Sequence, residues 1–375
     1  MMYKILLVDD EPLLLQGLRR TLKKRFDIET ASSGCEALGR ISADNSYAVV
    51  VSDYAMPGMN GLELLSKVAR IAPNTARIVL TGTADVSIAA QAVNSGDVFQ
   101  FHLKPCSSEV LNQAIDAGIE LFQKRRRKIS LRHALAEAGE VQRNLIPEVP
   151  TEINGCEVAA ECLWAEEIGG DYYDLLQPDP DHNDRVCAIV GDVSGHGLAA
   201  ALLMASIRAF LRESLARFRD PAEVVSHVNQ LMVRDVRDSG QFVTLFCCEI
   251  DAGQKMLRWV RAGHAPAIVY DPLSDCFTEL GGDGMSLGVS ADSVYLQQGR
   301  SFQSGQVVLL GTDGVWEACN GEGEMFGKER LKDLMRLHHK APVSELLSAI
   351  TQKWRGFCGD VPPGDDATIL IFKAF

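Results

Sequence analysis

The stretch Leu7-Val8-Asp9-Asp10-Glu11-Pro12 sets the first fold of the chain, because an apolar run stops at acids and a helical pattern then starts. The run begins at Tyr3, and Pro12–Arg25 repeats leucines at helical spacing. Ala48–Ser52 is a second apolar run without polar alternation, and Asp53 follows it directly. Continuous apolar strands that alternate with helices predict a doubly wound parallel sheet covered on both faces.

The same alternation continues through the first third of the chain. The further elements expected are Ile28–Ala31, Glu36–Ile41, Leu62–Ile71, Arg77–Leu80, Val86–Val93 and Val98–Leu103, which brings the sheet to five strands. In such a sheet ligands bind beyond the carboxyl ends of the strands, where the strand order reverses. Asp9, Asp10 and Asp53 are expected to meet there, and their mutual repulsion calls for a divalent cation such as Mg²⁺.

Two further polar groups are expected at the same rim. Leu80 is followed by Thr81, and Leu103 is followed by Lys104. Carboxylates, a cation, a hydroxyl and an ammonium together suit the transfer of a phosphoryl group onto an aspartate. Each residue alone is an ordinary strand end or surface charge, so the prediction rests on the combination.

Residues 1–122 resemble the response-regulator receiver family. The matching motifs are Leu7-Val8-Asp9-Asp10-Glu11-Pro12, Ser52-Asp53-Tyr54-Ala55-Met56-Pro57-Gly58-Met59-Asn60-Gly61, Thr81-Gly82 and Lys104-Pro105. The resemblance implies a flavodoxin-like fold and a sensor histidine kinase as partner. It implies Asp53 as phosphoacceptor, with Asp9 and Asp10 around Mg²⁺. It further implies Thr81 as switch hydroxyl, Phe101 as switch aromatic, Lys104 as phosphate contact and a cis bond before Pro105.

Residues 123–150 are predicted to form a helical linker. The helical pattern starts after Ser107, with Glu109 in the first turn, and stops at Pro147. Its heptad-like spacing is compatible with a coiled coil and hence with a homodimer. The basic run Lys124–Lys128 is either a solvated helix face, which we favour, or a polyanion site.

After Pro150 the pattern changes to clustered strands with helices at Ala199–Phe218, Pro221–Val236 and within the last fifty residues. The strands expected are Glu157–Cys162, Val186–Val190, Phe242–Ile250, Met256–Arg261, Ile268–Tyr270, Val307–Leu310 and Thr368–Phe372. Strands grouped in this way predict an α+β domain with layered antiparallel sheets over residues 151–375.

Four acidic motifs recur beside glycines in this region. They are Ile168-Gly169-Gly170-Asp171-Tyr172-Tyr173-Asp174, Gly191-Asp192-Val193-Ser194-Gly195-His196-Gly197, Gly311-Thr312-Asp313-Gly314 and Gly364-Asp365-Asp366-Ala367-Thr368. A single Gly-Asp pair is usually a turn. Carboxylates that converge at sheet ends without a basic residue between them instead predict metal ions, and two Mg²⁺ or Mn²⁺ would suit phosphoryl chemistry.

Residues 151–375 resemble the bacterial SpoIIE/RsbU branch of the PPM-type metal-dependent protein phosphatases. Beyond the acidic motifs, the matching segments are Gln142-Arg143-Asn144-Leu145-Ile146-Pro147, Ala262-Gly263-His264-Ala265-Pro266 and Leu287-Gly288-Val289. The resemblance implies an antiparallel β-sandwich flanked by helices. It implies Asp171, Asp192, Asp313 and Asp365 as catalytic metal ligands, together with the backbone carbonyl of Val193. It also implies a phosphorylated STAS-type anti-sigma-factor antagonist as substrate.

Five further residues of this region need an interpretation, namely Asp365, Asp366, His196, His264 and Asp174. Asp365 is preferred to Asp366 as a ligand, because neighbouring strand residues face opposite ways. His196 is either a general acid for the leaving serine oxygen or a turn histidine. His264 and Asp174 are interpreted as structural. Eukaryotic relatives grip the substrate phosphate with an arginine, and no arginine stands beside Asp171 here.

Composition narrows the remaining alternatives. The formal net charge of −13 over 375 residues and the absence of a helix-turn-helix pattern disfavour nucleic-acid binding. The ten cysteines are scattered without metal spacing, and the start of the chain lacks signal-peptide features, so we expect a cytoplasmic protein without membrane contact. The competing function is a non-catalytic adaptor that binds a partner through a phosphatase-like fold.

Overall fold

The computed structural model of the chain describes residues 2–82, 98–153, 155–177 and 185–375. Two compact units are formed by Met1–His133 and Ala134–Phe375. The predicted helix Val86–Val93 lies outside the described residues. None of the described helices combines the length and the apolar character that crossing a bilayer requires.

The first unit is built on a parallel sheet with the strand order β2-β1-β3-β4-β5. Its strands are β1 (Lys4–Val8), β2 (Asp27–Ala31), β3 (Val49–Asp53), β4 (Ala76–Thr81) and β5 (Gln100–Leu103). The helices described between them are α1 (Pro12–Leu22), α2 (Gly34–Ala43) and α3 (Gly61–Ile71). The predicted doubly wound sheet is confirmed, and its order reverses between β1 and β3.

Both faces of this sheet are buried, which explains the lack of polar alternation in its strands. Ile5 and Leu7 lie in one apolar cluster, whereas Leu6 and Val8 lie in another. Successive strand residues point to opposite faces, so both sets must be apolar when helices cover both sides. Side chains at the sheet ends, by contrast, are left for polar roles.

A long helix, α4 (Ser108–Arg143), begins in the first unit and ends in the second. Ile119 and Phe122 are buried in the core of the first unit. Beyond them Ile129 and Leu131 are 43% and 60% exposed. The boundary between the two units therefore falls inside the segment that the sequence predicts as a linker.

The second unit contains two antiparallel sheets, with the strand orders β14-β11-β10-β9-β8 and β13-β12-β15-β16-β7-β6. The strands are β6 (Glu152–Ile153), β7 (Cys156–Leu163), β8 (Tyr172–Leu176), β9 (Arg185–Val193), β10 (Val243–Asp251), β11 (Met256–Ala262), β12 (Ala267–Asp271), β13 (Cys276–Leu280), β14 (Gln298–Ser301), β15 (Val307–Gly311) and β16 (Ala367–Ala374). Val190 and Phe246 of the first sheet share a core with Val308 and Phe372 of the second. The two sheets therefore form a sandwich.

Helices cover both outer faces of the sandwich. The first sheet packs against α5 (Leu198–Arg217) and α6 (Pro221–Val236). The second sheet packs against α8 (Lys328–His338) and α9 (Val343–Cys358), and the single turn α7 (Asp313–Trp316) follows β15. The predicted α+β domain with layered antiparallel sheets is confirmed.

Four strands are not predicted by the sequence pattern: β6, β8, β13 and β14. All four are the edge strands of their sheets. An edge strand carries less buried apolar surface than a central one, and β13 and β14 are largely exposed. The difference concerns Asp171 most directly, because β8 starts immediately after it, where the sequence indicates only a glycine-rich turn.

Candidate functional sites

The first site is a group of three carboxylates at the carboxyl ends of β1 and β3. One oxygen from each of Asp9, Asp10 and Asp53 lies within 4.8 Å of the others. Asp9 and Asp53 are buried, whereas Asp10 is exposed. The amide of Glu11 donates to Asp9 Oδ1 at 2.9 Å and orients that carboxylate. The structure therefore brings together the three acids that the sequence assigns to a Mg²⁺ site.

Lys104 reaches this cluster from the residue after β5. Its Nζ lies 2.8 Å from Asp9 Oδ2 and 2.6 Å from Asp53 Oδ1. Burial alone lowers the pKa of Lys104, but the hydrogen bonds to Asp53 and Asp9 raise it, and the net shift is upward. The peptide bond between Lys104 and Pro105 is cis. The first site thus contains its own counter-charge.

The two proposed switch residues lie on the neighbouring strands β4 and β5. Thr81 is fully buried at the end of β4, and its hydroxyl donates to the Gly82 carbonyl at 3.3 Å. Phe101 pairs in register with Val79 on β4 and packs against one apolar cluster of the sheet. Residues 83–97, which follow Thr81, lie outside the described part of the chain.

The second site lies where ends of the two sandwich sheets meet. Asp171 stands immediately before β8, and Asp192 is the penultimate residue of β9. Asp313 is the first residue of α7, just after β15, and Asp365 comes shortly before β16. Because β8 and β9 belong to one sheet and β15 and β16 to the other, both layers contribute acids.

Burial and neighbouring acids raise the pKa of three acids of this site, Asp171, Asp192 and Asp313. Burial raises the pKa of Asp171 well above its usual range, and the charge of Asp192 adds to the shift. Burial likewise raises the pKa of Asp192 to about 7, with contributions from Asp313 and Asp365. In the part of the chain that the structure describes, no lysine or arginine pairs with any of the four. Carboxylates in this situation stay ionised together only with added positive charge.

The spacing of the second site differs from that of the first. Among the described residues, no three of its acids bring one oxygen each within 4.8 Å of one another. Ligands shared between two cations are spread more widely than ligands around one, since paired ions lie roughly 3.5–4 Å apart. The side-chain donors are all carboxylate oxygens, which suits Mg²⁺ or Mn²⁺ better than zinc. The residues present therefore fit hard divalent cations.

Asp171 is held by Thr312, which follows β15 of the other sheet, and Thr312 is held in turn by Thr368 of β16. Thr312 Oγ1 donates to Asp171 Oδ2 at 2.7 Å. The amide of Thr368 donates in turn to Thr312 Oγ1 at 2.9 Å, which directs the hydroxyl proton towards the carboxylate. Both threonines stand inside the acidic motifs, but sequence reasoning assigns them no role.

Asp366 and Asp365 have different surroundings. Asp366 is buried, and its carboxylate accepts the amides of Ala165 at 2.8 Å and Gly170 at 2.7 Å. The amide of Asp171 adds a longer contact of 3.4 Å. Asp365 is exposed and accepts the amide of Asp366 at 2.9 Å. The Asp366 oxygens are thus engaged by the backbone, which supports Asp365 as the ligand.

Two glycines of the motifs permit close backbone approach around these acids. A Cβ on Gly170 would lie 3.0 Å from the Val193 carbonyl oxygen, so this carbonyl faces the residue before Asp171. A Cβ on Gly314 would lie 1.9 Å from the Asp366 carbonyl oxygen. Glycine is therefore required at position 314, where the backbones are in direct contact, whereas a side chain at position 170 would be tightly packed.

The remaining candidates separate into one exposed histidine and two buried structural residues. His196 is exposed, and its Nδ1 lies 3.7 Å from Glu166 Oε1. His264 is buried, with its ring nitrogens 2.7 Å from Thr244 Oγ1 and 3.1 Å from the Gly311 carbonyl oxygen. Burial lowers the pKa of His264 to about 4, which keeps it neutral.

Asp174 is fully buried and serves as an anchor. The hydroxyl of Tyr172 donates to it, and Arg212 donates through Nε at 2.8 Å and Nη2 at 2.9 Å. This bidentate pair ties β8 to α5. The geometry supports the structural interpretation of both Asp174 and His264.

Comparisons with known proteins assign the two units. The family model described as Stage II sporulation protein E (SpoIIE) matches residues 182–375. The model described as Response regulator receiver domain matches residues 5–116.

Similar proteins include phosphoserine phosphatase RsbU of Bacillus subtilis, 26% identical over 237 residues that cover 63% of this chain and 68% of RsbU. Protein IcfG of Synechocystis is 23% identical over 262 residues, which cover 63% of this chain but 40% of IcfG. Among solved structures, the SiaA-PP2C domain of Pseudomonas aeruginosa has a TM-score of 0.58 at 24% identity, covering 67% of this chain and 99% of that domain. This last likeness concerns the fold.

The SpoIIE model spans more than half of the chain, and the receiver model covers most of the first unit. The chain belongs to the SpoIIE family, as a response-regulator receiver domain fused to a metal-dependent protein serine/threonine phosphatase domain of the PPM class and the SpoIIE/RsbU type.

Proposed function

We propose that the chain is a two-component response regulator that hydrolyses phosphoserine or phosphothreonine on a protein, under the control of phosphorylation at Asp53. The observation that carries the proposal is the second site, where burial and neighbouring acids raise the pKa of Asp171, Asp192 and Asp313 without a basic partner in the described structure. An adaptor would have no need to keep such mutually repelling acids together. The likeness to a phosphoserine phosphatase agrees with this reading.

In this proposal Asp171, Asp192, Asp313 and Asp365, with the Val193 carbonyl, hold two Mn²⁺ or Mg²⁺ ions. Such ions supply Lewis acidity and an activated water for in-line attack on the phosphoryl group.

The protein groups around the ions position the metal ligands and supply a proton to the leaving group. Thr312 fixes the orientation of the Asp171 carboxylate, and Asp366 fixes the backbone that precedes it. His196, exposed beside Glu166, is available to return a proton to the leaving serine oxygen.

The receiver would supply the control. Asp53 would accept a phosphoryl group from a sensor histidine kinase, with Asp9 and Asp10 holding Mg²⁺. Lys104, which already contacts Asp53 at 2.6 Å, would pair with the added phosphoryl oxygens. Thr81 and Phe101, on adjacent strands, would report the change to the rest of the receiver.

Several finer assignments belong to the same proposal. Residues 1–122, 123–150 and 151–375 would act as receiver, linker and phosphatase. The exposed Ile129 and Leu131 of the linker would pair with a second copy as a coiled coil. The substrate would be a STAS-type anti-sigma-factor antagonist, in a cytoplasmic pathway without nucleic acid or membrane contact.

The proposal is tested with the full chain and candidate phosphoproteins in the presence of Mn²⁺. Phosphate release is measured with and without beryllofluoride, which mimics a phosphorylated aspartate. We expect Mn²⁺-dependent release whose rate changes with beryllofluoride, and no such change in Asp53→Asn. Release that ignores beryllofluoride would reject the control by Asp53, and binding of phosphoproteins without any release would favour the adaptor.

A further inference from the structure

The end of α4 is joined to the second site by one buried side chain. Gln142 is 5% exposed. Its Nε2 donates to the Gly169 carbonyl at 2.7 Å, and its Oε1 accepts the Gly169 amide at 3.1 Å. A single amide thus satisfies both backbone polar groups of a residue 27 positions away. Two such bonds fix both the place and the orientation of Gly169.

Further contacts dock the same helix end. A Cβ on Gly139, one turn before Gln142, would lie 2.2 Å from the Glu167 carbonyl oxygen, so the helix backbone touches this segment directly. After the helix, the Leu145 carbonyl accepts Arg208 Nε of α5 at 2.7 Å. The helix end is therefore packed against the segment that leads to Asp171.

The segment is held from its other side by Asp366. Gly170 donates its amide to Asp366 Oδ2 at 2.7 Å, and a Cβ on Gly169 would lie 2.4 Å from the same oxygen. Gly169 and Gly170 are thus fixed between the Gln142 amide and the Asp366 carboxylate. Asp171 follows directly, and its position depends on where these two glycines are held.

We propose that Gln142 is a positioning residue of the phosphatase site, through which the end of α4 holds Gly169 and thereby Asp171 in place for cation binding. The inference rests on the proposed function for the identity of the site. If docking of the helix end favours cation binding, then cation binding must favour docking by the same factor. Docking of the end of α4 would then depend on whether the cation site is occupied.

The first test compares Gln142→Met with Asn144→Met, which places the same side chain on the neighbouring exposed residue. Both are made in the full chain with Asp10→Ala, which removes the receiver's cation site. Binding of Mn²⁺ is followed by the electron paramagnetic resonance signal of the free ion. We expect Mn²⁺ to bind Gln142→Met roughly 10- to 100-fold more weakly, as when groups that orient metal ligands are lost. Asn144→Met should bind as the parent chain does.

The steady-state kinetics of phosphate release provide a second measurement on the same variants. For Gln142→Met we expect a lower kcat that recovers with excess Mn²⁺, and an unchanged KM for the phosphoprotein. A lower midpoint of thermal unfolding with unaltered Mn²⁺ affinity would overturn the proposal, because Gln142 would then support only the fold.

The second test needs no substitution. Amide hydrogen exchange is measured in the unmodified chain with Mn²⁺ and with chelator. We expect Mn²⁺ to slow exchange in residues 139–145 as well as in residues 166–171, with little change in β2 of the receiver. Exchange in residues 139–145 that is indifferent to Mn²⁺ would contradict the linkage, even if Gln142→Met does not fold.

The two proposals fail in different ways. A chain that binds Mn²⁺ in a Gln142-dependent manner but releases no phosphate would refute the phosphatase function and leave the positioning role. A chain that releases phosphate equally well with Gln142→Met at limiting Mn²⁺ would refute the positioning role alone.

Discussion

The receiver and the phosphatase each gather aspartates at the ends of β-strands, but only the receiver adds a lysine to them. Lys104 contacts both Asp9 and Asp53, whereas no basic residue pairs with the late aspartates in the described chain. The receiver acids therefore keep a positive charge beside them even without a cation. The phosphatase acids depend on cations, as a site built for metal-assisted hydrolysis does.

The two aspartate clusters also differ in the parts of the structure that hold them together. The receiver acids belong to neighbouring strands of one sheet. Asp171 precedes a strand of one sheet and Asp313 follows a strand of the other, and Thr312, next to Asp313, donates to Asp171. The second cluster therefore depends on the packing of the whole domain, and the first on a local juxtaposition.

The largest effect is expected from removing a late aspartate. Asp192→Ala or Asp313→Ala should lower Mn²⁺-dependent phosphate release by about a thousandfold or more, since metal-assisted charge stabilisation is worth several kcal/mol. Phosphate release from a phosphoserine protein gives the measurement. Asp360→Ala, an exposed acid nearby in sequence, serves as control and should be unaffected. Full activity in both Asp192→Ala and Asp313→Ala would show that the late aspartates do not hold catalytic cations. The proposed difference between the two clusters would then be wrong.

Asp365 and Asp366, which precede β16, should affect different properties of the protein. Loss of Asp366 should lower stability, and loss of Asp365 should lower catalysis. Asp366→Ala leaves the buried amide of Gly170 and the part-buried amide of Ala165 without an acceptor, so the free energy of unfolding should fall by about 2–4 kcal/mol. Asp365→Ala should reduce phosphate release while changing stability by less than about 0.5 kcal/mol. Urea denaturation with chelator distinguishes them. The reverse ranking would assign the ligand role to Asp366.

Cations and protons should compete at the second cluster. The folded pKa of Asp192, about 7, is raised, so the metal-free fold holds a proton there at pH 6 that it releases by pH 8. Raised carboxyl pKa values make the metal-free fold less stable as pH rises, and a bound cation removes this loss. The stabilisation by Mn²⁺ should therefore be greater at pH 8 than at pH 6, by about 1 kcal/mol for one displaced proton.

Thermal denaturation of the full chain with Mn²⁺ or chelator at both pH values measures this competition. The buried His264 contributes equally in both conditions and cancels in the difference. A Mn²⁺ effect that does not vary with pH would show that the late carboxylates are already ionised without metal.

The smallest effect concerns the receiver. Lys104→Met removes the ammonium that repels an incoming cation, so Mg²⁺ should bind the receiver more tightly by on the order of 1 kcal/mol, roughly fivefold. Tyr54, next to Asp53, offers a fluorescence probe for the titration. Phosphate release at saturating Mn²⁺ without phosphorylation should not change. Weaker Mg²⁺ binding in this variant would mean that Lys104 orders the acids instead of competing with the cation.

The sequence was informative where a pattern is local. Central strands such as β3 and β10 are mostly apolar because both of their faces are buried, and their bounds are predicted to within about a residue. The edge strand β8 escapes prediction because it is only five residues long, lies shortly after two glycines and is interrupted by the charged Asp174.

The sequence predicts the acids of the phosphatase site but not the residues that hold those acids in place. Aspartates beside glycines are visible in a single sequence, whereas the bonds from Thr312 to Asp171 and from Gln142 to Gly169 join residues 141 and 27 positions apart. The sequence around a threonine or a glutamine does not indicate that the residue has such a distant hydrogen-bond partner. Only the packed sandwich places them, which is why the supports emerge from the structure.

The central claim is that Asp171, Asp192, Asp313 and Asp365 share a pair of divalent cations. The most direct measurement is anomalous diffraction at the manganese edge from crystals of the full chain grown with Mn²⁺. We expect two peaks among these four carboxylates, separate from any peak at Asp53. Manganese confined to the receiver, with none among the late aspartates, would contradict it.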